Sequence, residues 1–406
     1  MTLPYLTSDL PGTGGTLRNR PEDFFVQEVP LYEPSGEGEH LYVEIQKVGL
    51  TTREAVNRVA TALELSPKDI GVAGLKDRHA VTRQTLSLWK KGLTEEQAMT
   101  TPIEGVQVLW ADWHANKLKT GHLAGNRFAI KIRDVDPTAV LKLRPLLDRL
   151  EKEGLPNYYG EQRFGSDSHR PNDVLGVALT GGDYQQFCDL LLGGEDGRED
   201  VAAARKLYDE GNREAALEAW PDNIQPEKRV LKRLVKTGDP EQAAKAMDKG
   251  SLRFYTSAAQ SAIFNALVAR RVKGGTLAQI LLGDVATKHK DALITTGSFV
   301  VEDPIEDQPR CDAWEISPTG PMPGKKMHPR AAEEAEMIEK QVYAELGVRP
   351  GLFDSLTGTR RPIRVRPTET RLASGVDEHG QHITVAFTLP AGCYATTLLR
   401  EIMKSD

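Results

Sequence analysis

The stretch VAGLKDRHAVTRQTLSLW (72–89) changes character twice, and its reading decides the fold class. Two apolar residues lead through Gly74 into the charged run Lys76, Asp77, Arg78 and His79. Gln84, Leu86 and Leu88 then alternate with Thr85, Ser87 and Trp89, the period of two that belongs to a strand. Asp77 is therefore expected on a loop at a strand edge, where a rigid frame commonly carries functional side chains.

Upstream, His40 to Lys47 alternates Leu41, Val43 and Ile45 against polar neighbours, again a half-buried strand. Thr51 and Glu54 have capping-box spacing, and Ala55, Val56, Val59, Ala60 and Leu63 share one face of the helix that follows. Ser66-Pro67 opens a further short helix. Downstream, LAGNRFAIKIR (123–133) reads as a strand, and Ala139 to Lys152 as an amphipathic helix ending at Gly154. Helical patterns dominate from about 183 to 272, where Ser257 and Gln260 repeat the capping-box spacing ahead of Ile263, Phe264, Leu267 and Val268. SPTGPMPGKKMHP (317–329) reads as a loop, followed by a helix with Pro329 near its start and Gly347 near its end. The tail returns to a strand, ITVAFTL (383–389), and a helix whose apolar face is Ala395, Leu398, Leu399, Ile402 and Met403. This order predicts an α+β protein in which an insertion over roughly 160–362 separates two halves of one core. The length agrees, because 406 residues exceed what a single hydrophobic core usually organises.

With 39% hydrophobic and 27% charged residues the composition is that of a globular protein. No run of eighteen apolar residues and no signal-peptide pattern is present, so no membrane association and a cytoplasmic location are expected. Cys188, Cys311 and Cys393 are too few and too scattered for a disulfide framework or a C-x-x-C pair. His379 and His382, in DEHGQH, lack the helix and glutamate of a metalloprotease site, and a polar turn accounts for them. The net charge of −6 excludes a protein that grips nucleic acid by general positive charge. Basic residues nevertheless cluster in RNR (18–20), GLKDRHAVTR (74–83), PEKRVLKRLVK (226–236) and GTRRPIRVRP (358–367), as a basic groove or as solvated faces. TGPMPGKKM has the wrong glycine spacing for a phosphate loop and no Ser or Thr after the lysine.

The block GLKDRHAVTRQ (74–84) does not stand alone. With PEDFFVQE (21–28), GNRF (125–128), NYYGEQRFG (157–165), SLRFYTSAAQSAIFN (251–265) and LPAGCYATTLLREI (389–402), it resembles the TruD family of tRNA pseudouridine synthases. The blocks run in the family's order and cover both halves of the core and part of the insertion, where the chain is longer than compact bacterial members. The resemblance implies a discontinuous pseudouridine synthase core, 1–159 and 363–406, built on a mixed, largely antiparallel sheet flanked by helices. It implies a family-specific α/β insertion domain over 160–362. It also implies an isomerase that detaches a uridine at position 13 in the D arm of tRNA and rejoins it through carbon 5. It implies that no metal, nucleotide or organic cofactor takes part and that tRNA is the partner, with no obligate protein partner evident.

Residue by residue, the resemblance makes Asp77 the catalytic carboxylate, acting as nucleophile or as base on the ribose. Its ionisation in a cleft calls for a nearby cation, for which Arg400 is the first candidate and Arg18 the second. Phe24 and Tyr394 match substrate-contacting aromatics that would stack an extruded base, or they are core aromatics. Asn126 matches a third contact, an amide able to donate to and accept from the uracil edge, or a turn former. Gln162 and Arg163 are candidates for hydrogen bonding to RNA or within the active site, unless NYYGEQRFG is a hinge fixed by packed Tyr158 and Phe164. Two other functions compete. A tRNA-binding protein without catalysis would favour a neutral or basic residue at position 77. A sugar-bond hydrolase would need paired carboxylates, and the adjacent Glu22 and Asp23 ordinarily point apart.

Overall fold

The computed structural model describes residues 3–165, 171–194, 199–349 and 351–405, which gather into two compact units. One comprises Tyr5–Leu155, His289–Thr296 and Val365–Asp406, and the other Met1–Pro4, Pro156–Lys288 and Gly297–Arg364.

The first unit is built on one sheet. Its strands are β1 (Phe24–Pro30), β2 (His40–Val48), β3 (Ile70–Val72), β4 (Val81–Leu88), β5 (Val106–His114), β6 (Leu123–Arg133), β7 (Thr368–Asp377) and β8 (Gly380–Pro390). They lie in the order β7-β8-β6-β1-β4-β2-β5, with β3 on β4. Only β1 and β4 run parallel; every other pair is antiparallel. β1 pairs with β4 over Val81–Arg83 and β3 pairs with it over Leu86–Leu88. Between them the Glu28 carboxylate accepts the Thr85 N–H at 3.0 Å, so a side chain fills a rung of the ladder.

The expected alternation in β2 puts Leu41, Val43 and Ile45 against Ala55, Val59 and Ala60 of helix α1 (Thr52–Ala62). The capping box forms: Thr51 Oγ1 accepts the Glu54 N–H at 3.2 Å, and Glu54 accepts the Thr51 N–H at 2.7 Å. Helices α2 (Val140–Glu153) and α3 (Ala395–Met403) bury Leu143, Leu146, Leu147 and Leu150, and Leu398, Leu399 and Ile402. The Glu401 carboxylate of α3 accepts hydrogen bonds from the N–H groups of Leu6 and Thr7 at 2.8 and 3.1 Å and from the Thr7 hydroxyl at 2.6 Å. At the end of β6 the buried Arg133 guanidinium is held by Asp23 at 2.6 Å and Asp377 at 2.8 Å.

In the second unit, helices Tyr184–Leu192, Glu199–Asp209 and Gln225–Thr237 enclose Phe187, Leu191, Trp220, Leu231 and Leu234. The strand Ile316–Met322 pairs antiparallel with Thr359–Pro362 on one side and with residues 286–288 on the other. Two expectations fail in this unit. No helix starts at Ser257, because the helix spans Lys249–Lys273 and is capped by Asp248, which accepts the Ser251 N–H at 2.9 Å. Ser257 instead donates to Phe254 O at 3.0 Å, and Gln260 to Pro323 O at 2.7 Å. The first part of SPTGPMPGKKMHP is no loop but the fully buried strand Ile316–Met322. Its Gly320 permits close approach to the long helix: an added Cβ would meet Leu267 Cδ2 at 2.8 Å and the Phe264 ring at 3.0 Å.

Candidate active site

Residues 73–80 join β3 to β4 and carry Asp77, as the alternation downstream predicted. The loop is tied down on both sides of that residue. Before it, the Lys76 N–H donates to Thr52 Oγ1 at 2.8 Å, and Lys76 Nζ pairs with Glu28 at 2.6 Å with both side chains buried. Burial pushes the Glu28 carboxyl up, and the Lys76 ammonium opposes the shift. At Asp77 itself, the main-chain carbonyl accepts from Lys47 Nζ at 3.0 Å. Arg78 pairs with Glu54 of the capping box.

The Asp77 carboxylate remains 45% exposed, open to a large substrate, and takes Arg18 Nη2 at 3.1 Å. The Arg18 guanidinium stands over the Phe24 ring, 5.0 Å from its centre, so the first residue of β1 supports the cation. Arg18 has φ of +61°, a left-handed conformation that costs a non-glycine residue about 1–2 kcal/mol. Its chain is fixed there because Thr16 exchanges both main-chain hydrogen bonds with Arg133, at 2.9 and 3.0 Å. Among the described residues the ion pair to Asp77 comes from Arg18, while Arg400, on α3, lies over Tyr5, 3.8 Å from the ring centre.

Phe24 is 4% exposed, so its visible role is to pack beneath Arg18. Asn126 is opposite Glu28 in the β1/β6 register, and its buried Oδ1 has no hydrogen-bond partner among the described residues. Such an atom costs about 1–3 kcal/mol unless a ligand supplies the donor. Tyr394 is the N-cap residue of α3, just beyond β8, whose Leu389 pairs with Asn126. Gln162 and Arg163 belong to the other unit. Gln162 is exposed, and Arg163 donates to Ser257 Oγ at 2.5 Å and stands over Phe254 and Tyr159 at 5.3 and 5.9 Å. His379 lies in the turn between β7 and β8 and His382 on β8, both beside Asp377. Sequence reasoning passed over Lys47 and Glu28. Lys47 was visible as a lysine in phase with Leu41, Val43 and Ile45, the phase of the buried face.

A loop carboxylate paired with arginine thus sits at the start of an interior strand of a mixed sheet. Residues 1–402 match the family model for tRNA pseudouridine synthase D (TruD). The chain belongs to the TruD family. A tRNA pseudouridine synthase D of Geobacter metallireducens is 40% identical over 412 residues, 98% of this chain and 97% of its own length. A protein of the same name from Thermus thermophilus is 40% identical over 403 residues, 99% of this chain and 92% of its own. A crystal structure of a TruD protein from Methanosarcina mazei has a TM-score of 0.85 at 26% identity, covering 99% of this chain and 96% of that one. The chain is thus an isomerase of the TruD family with an α+β fold on a mixed sheet. Both bacterial relatives are matched over more than nine-tenths of their own length. Among the described residues no helix is long and apolar enough to cross a membrane.

Proposed function

We propose that this TruD enzyme converts the uridine at position 13 in the D arm of tRNA to pseudouridine, with Asp77 as the reacting carboxylate. The bond between N1 and the ribose C1′ breaks, the base turns, and C5 bonds to C1′. The C5 proton is lost and N1 gains one. Asp77 attacks the ribose as a nucleophile or takes a proton from it as a base, and neither route needs a cofactor. The observation that carries this reading is the Asp77 carboxylate itself: half exposed, paired with Arg18 at 3.1 Å, and set on a loop anchored on both sides.

The remaining assignments follow from the same reading. The uridine must leave its stack to react. Tyr394 would hold the extruded base, and the unsatisfied Asn126 Oδ1 would accept from uracil N3–H. Core segments 1–159 and 363–406 would carry the chemistry, and the insertion 160–362 would contribute Gln162 and Arg163 as RNA contacts. The proposed compartment is the cytoplasm, where tRNA is modified.

Tritium release from tRNA carrying carbon-5-labelled uridine tests the proposal, because the isomerisation must lose that hydrogen. Asp77→Asn keeps the size but can neither attack nor take a proton. It is expected to lose at least ~4 kcal/mol of transition-state stabilisation, roughly a thousandfold in rate. Release above a tenth of the wild-type rate would exclude Asp77.

A further inference from the structure

Lys47 closes the inward-facing row of β2 and is fully buried, a place lysine takes only when its ammonium is well partnered. Among the described residues no carboxylate pairs with it. Its hydrogen bonds go instead to two main-chain carbonyls, Leu50 O at 2.5 Å and Asp77 O at 3.0 Å. Leu50 immediately precedes Thr51, the cap of α1, and Asp77 O belongs to the reacting residue. The ammonium therefore links the start of a rigid helix to the main chain of the catalytic loop. Thr52, on the first turn of that helix, holds the loop one residue earlier through the Lys76 N–H.

As a device for stability this is a poor use of a cation, since burial pushes the Lys47 ammonium down to about 8. As a device for geometry it is effective. A carboxylate that must meet a ribose within about 3–3.5 Å loses on the order of a hundredfold in rate for a misplacement of 1 Å.

We propose that Lys47 is a positioning residue of the isomerase: its buried ammonium, bridging Leu50 O and Asp77 O, fixes the Asp77 main chain and so aims the carboxylate at the ribose. The proposal rests on Asp77 being the reacting group.

Lys47→Met tests it, because methionine fills the apolar stem's volume but has neither donor nor charge. Single-turnover tritium release, tRNA affinity and amide hydrogen exchange are measured together, with Asp77→Asn run alongside. The expected result is a tenfold to hundredfold slower step, tRNA affinity within twofold of wild type, and faster exchange confined to residues 73–80. A rate within threefold of wild type overturns the proposal whatever happens to stability. So does faster exchange spread across β1, β2 and β4, which would make the lysine a general prop of the sheet. If Asp77→Asn itself keeps more than a tenth of the rate, the reading of Asp77 fails separately.

Discussion

Arg18 pairs with a carboxylate that is 45% exposed, and an ion pair so well solvated contributes ~1 kcal/mol or less to stability. On the proposed reaction, its value would lie in the charge it presents while the ribose reacts. Arg18→Gln is therefore expected to melt within a few degrees of wild type yet turn over ten to a hundred times more slowly. That is the worth of a charge-assisted hydrogen bond, about 1.5–3 kcal/mol. Unchanged turnover would show that Asp77 needs no cation from position 18. Lys47 makes the reverse contribution. With its ammonium lowered from 10.5 to about 8, mainly by burial, keeping it charged in the folded state costs about 3 kcal/mol. Because the folded state releases this proton first, the unfolded chain binds more protons between about pH 8 and 10.5, and stability rises with pH across that window. Lys47→Met removes the effect. Its stability relative to wild type should then be most favourable below pH 8 and fall by about 3 kcal/mol by pH 10.5. Denaturant unfolding at pH 7 and pH 10.5 measures the difference, and an equal gap at both would refute it.

Elements were legible where their signals were local. Thr51 and Glu54 marked a helix start because both partners of the capping box lie within one turn, and β6 could be bounded from alternation alone. Ser257 and Gln260 have the same spacing, but Asp248 caps the helix nine residues earlier, and spacing cannot reveal a stronger start upstream. The strand Ile316–Met322 was hidden because Pro318, Gly320 and Pro321 are turn residues in most settings. Here Gly320 serves contact with Leu267 and Phe264, information that exists only once the helix and strand are together. Gly320→Val should overpack that contact by roughly 1–3 kcal/mol and lower the melting temperature by roughly 2–12 °C. Calorimetry showing no shift would mean the helix yields without strain. The site shows the same division. Asp77 stood in a readable segment, whereas the ion pair from Arg18 goes with a left-handed turn at that residue, which the arginine itself does not announce.

For the whole molecule, a net charge of −6 means that RNA must be met by local concentrations of cations. Arg229, Lys232 and Lys236 stand exposed along helix Gln225–Thr237 and are a candidate for one such stripe. Affinity for tRNA should fall as salt rises, with a logarithmic slope near 0.9 for each duplex phosphate neutralised and about 0.7 in single-stranded parts. A slope indistinguishable from zero between low and physiological salt would remove the basic clusters from the account. The arrangement of the sheet also bears on synthesis. β8 pairs along the length of β6, yet Gly380 comes 247 residues after Arg133 (380 − 133). At about 5–20 residues per second, the ribosome leaves that edge unpaired for on the order of 10–50 s. Glu401, the anchor of Leu6 and Thr7, emerges later still. The unit ending at Arg364 is free to fold during this wait. A nascent chain released before Gly380 would carry an open sheet edge, the template on which misassembly begins.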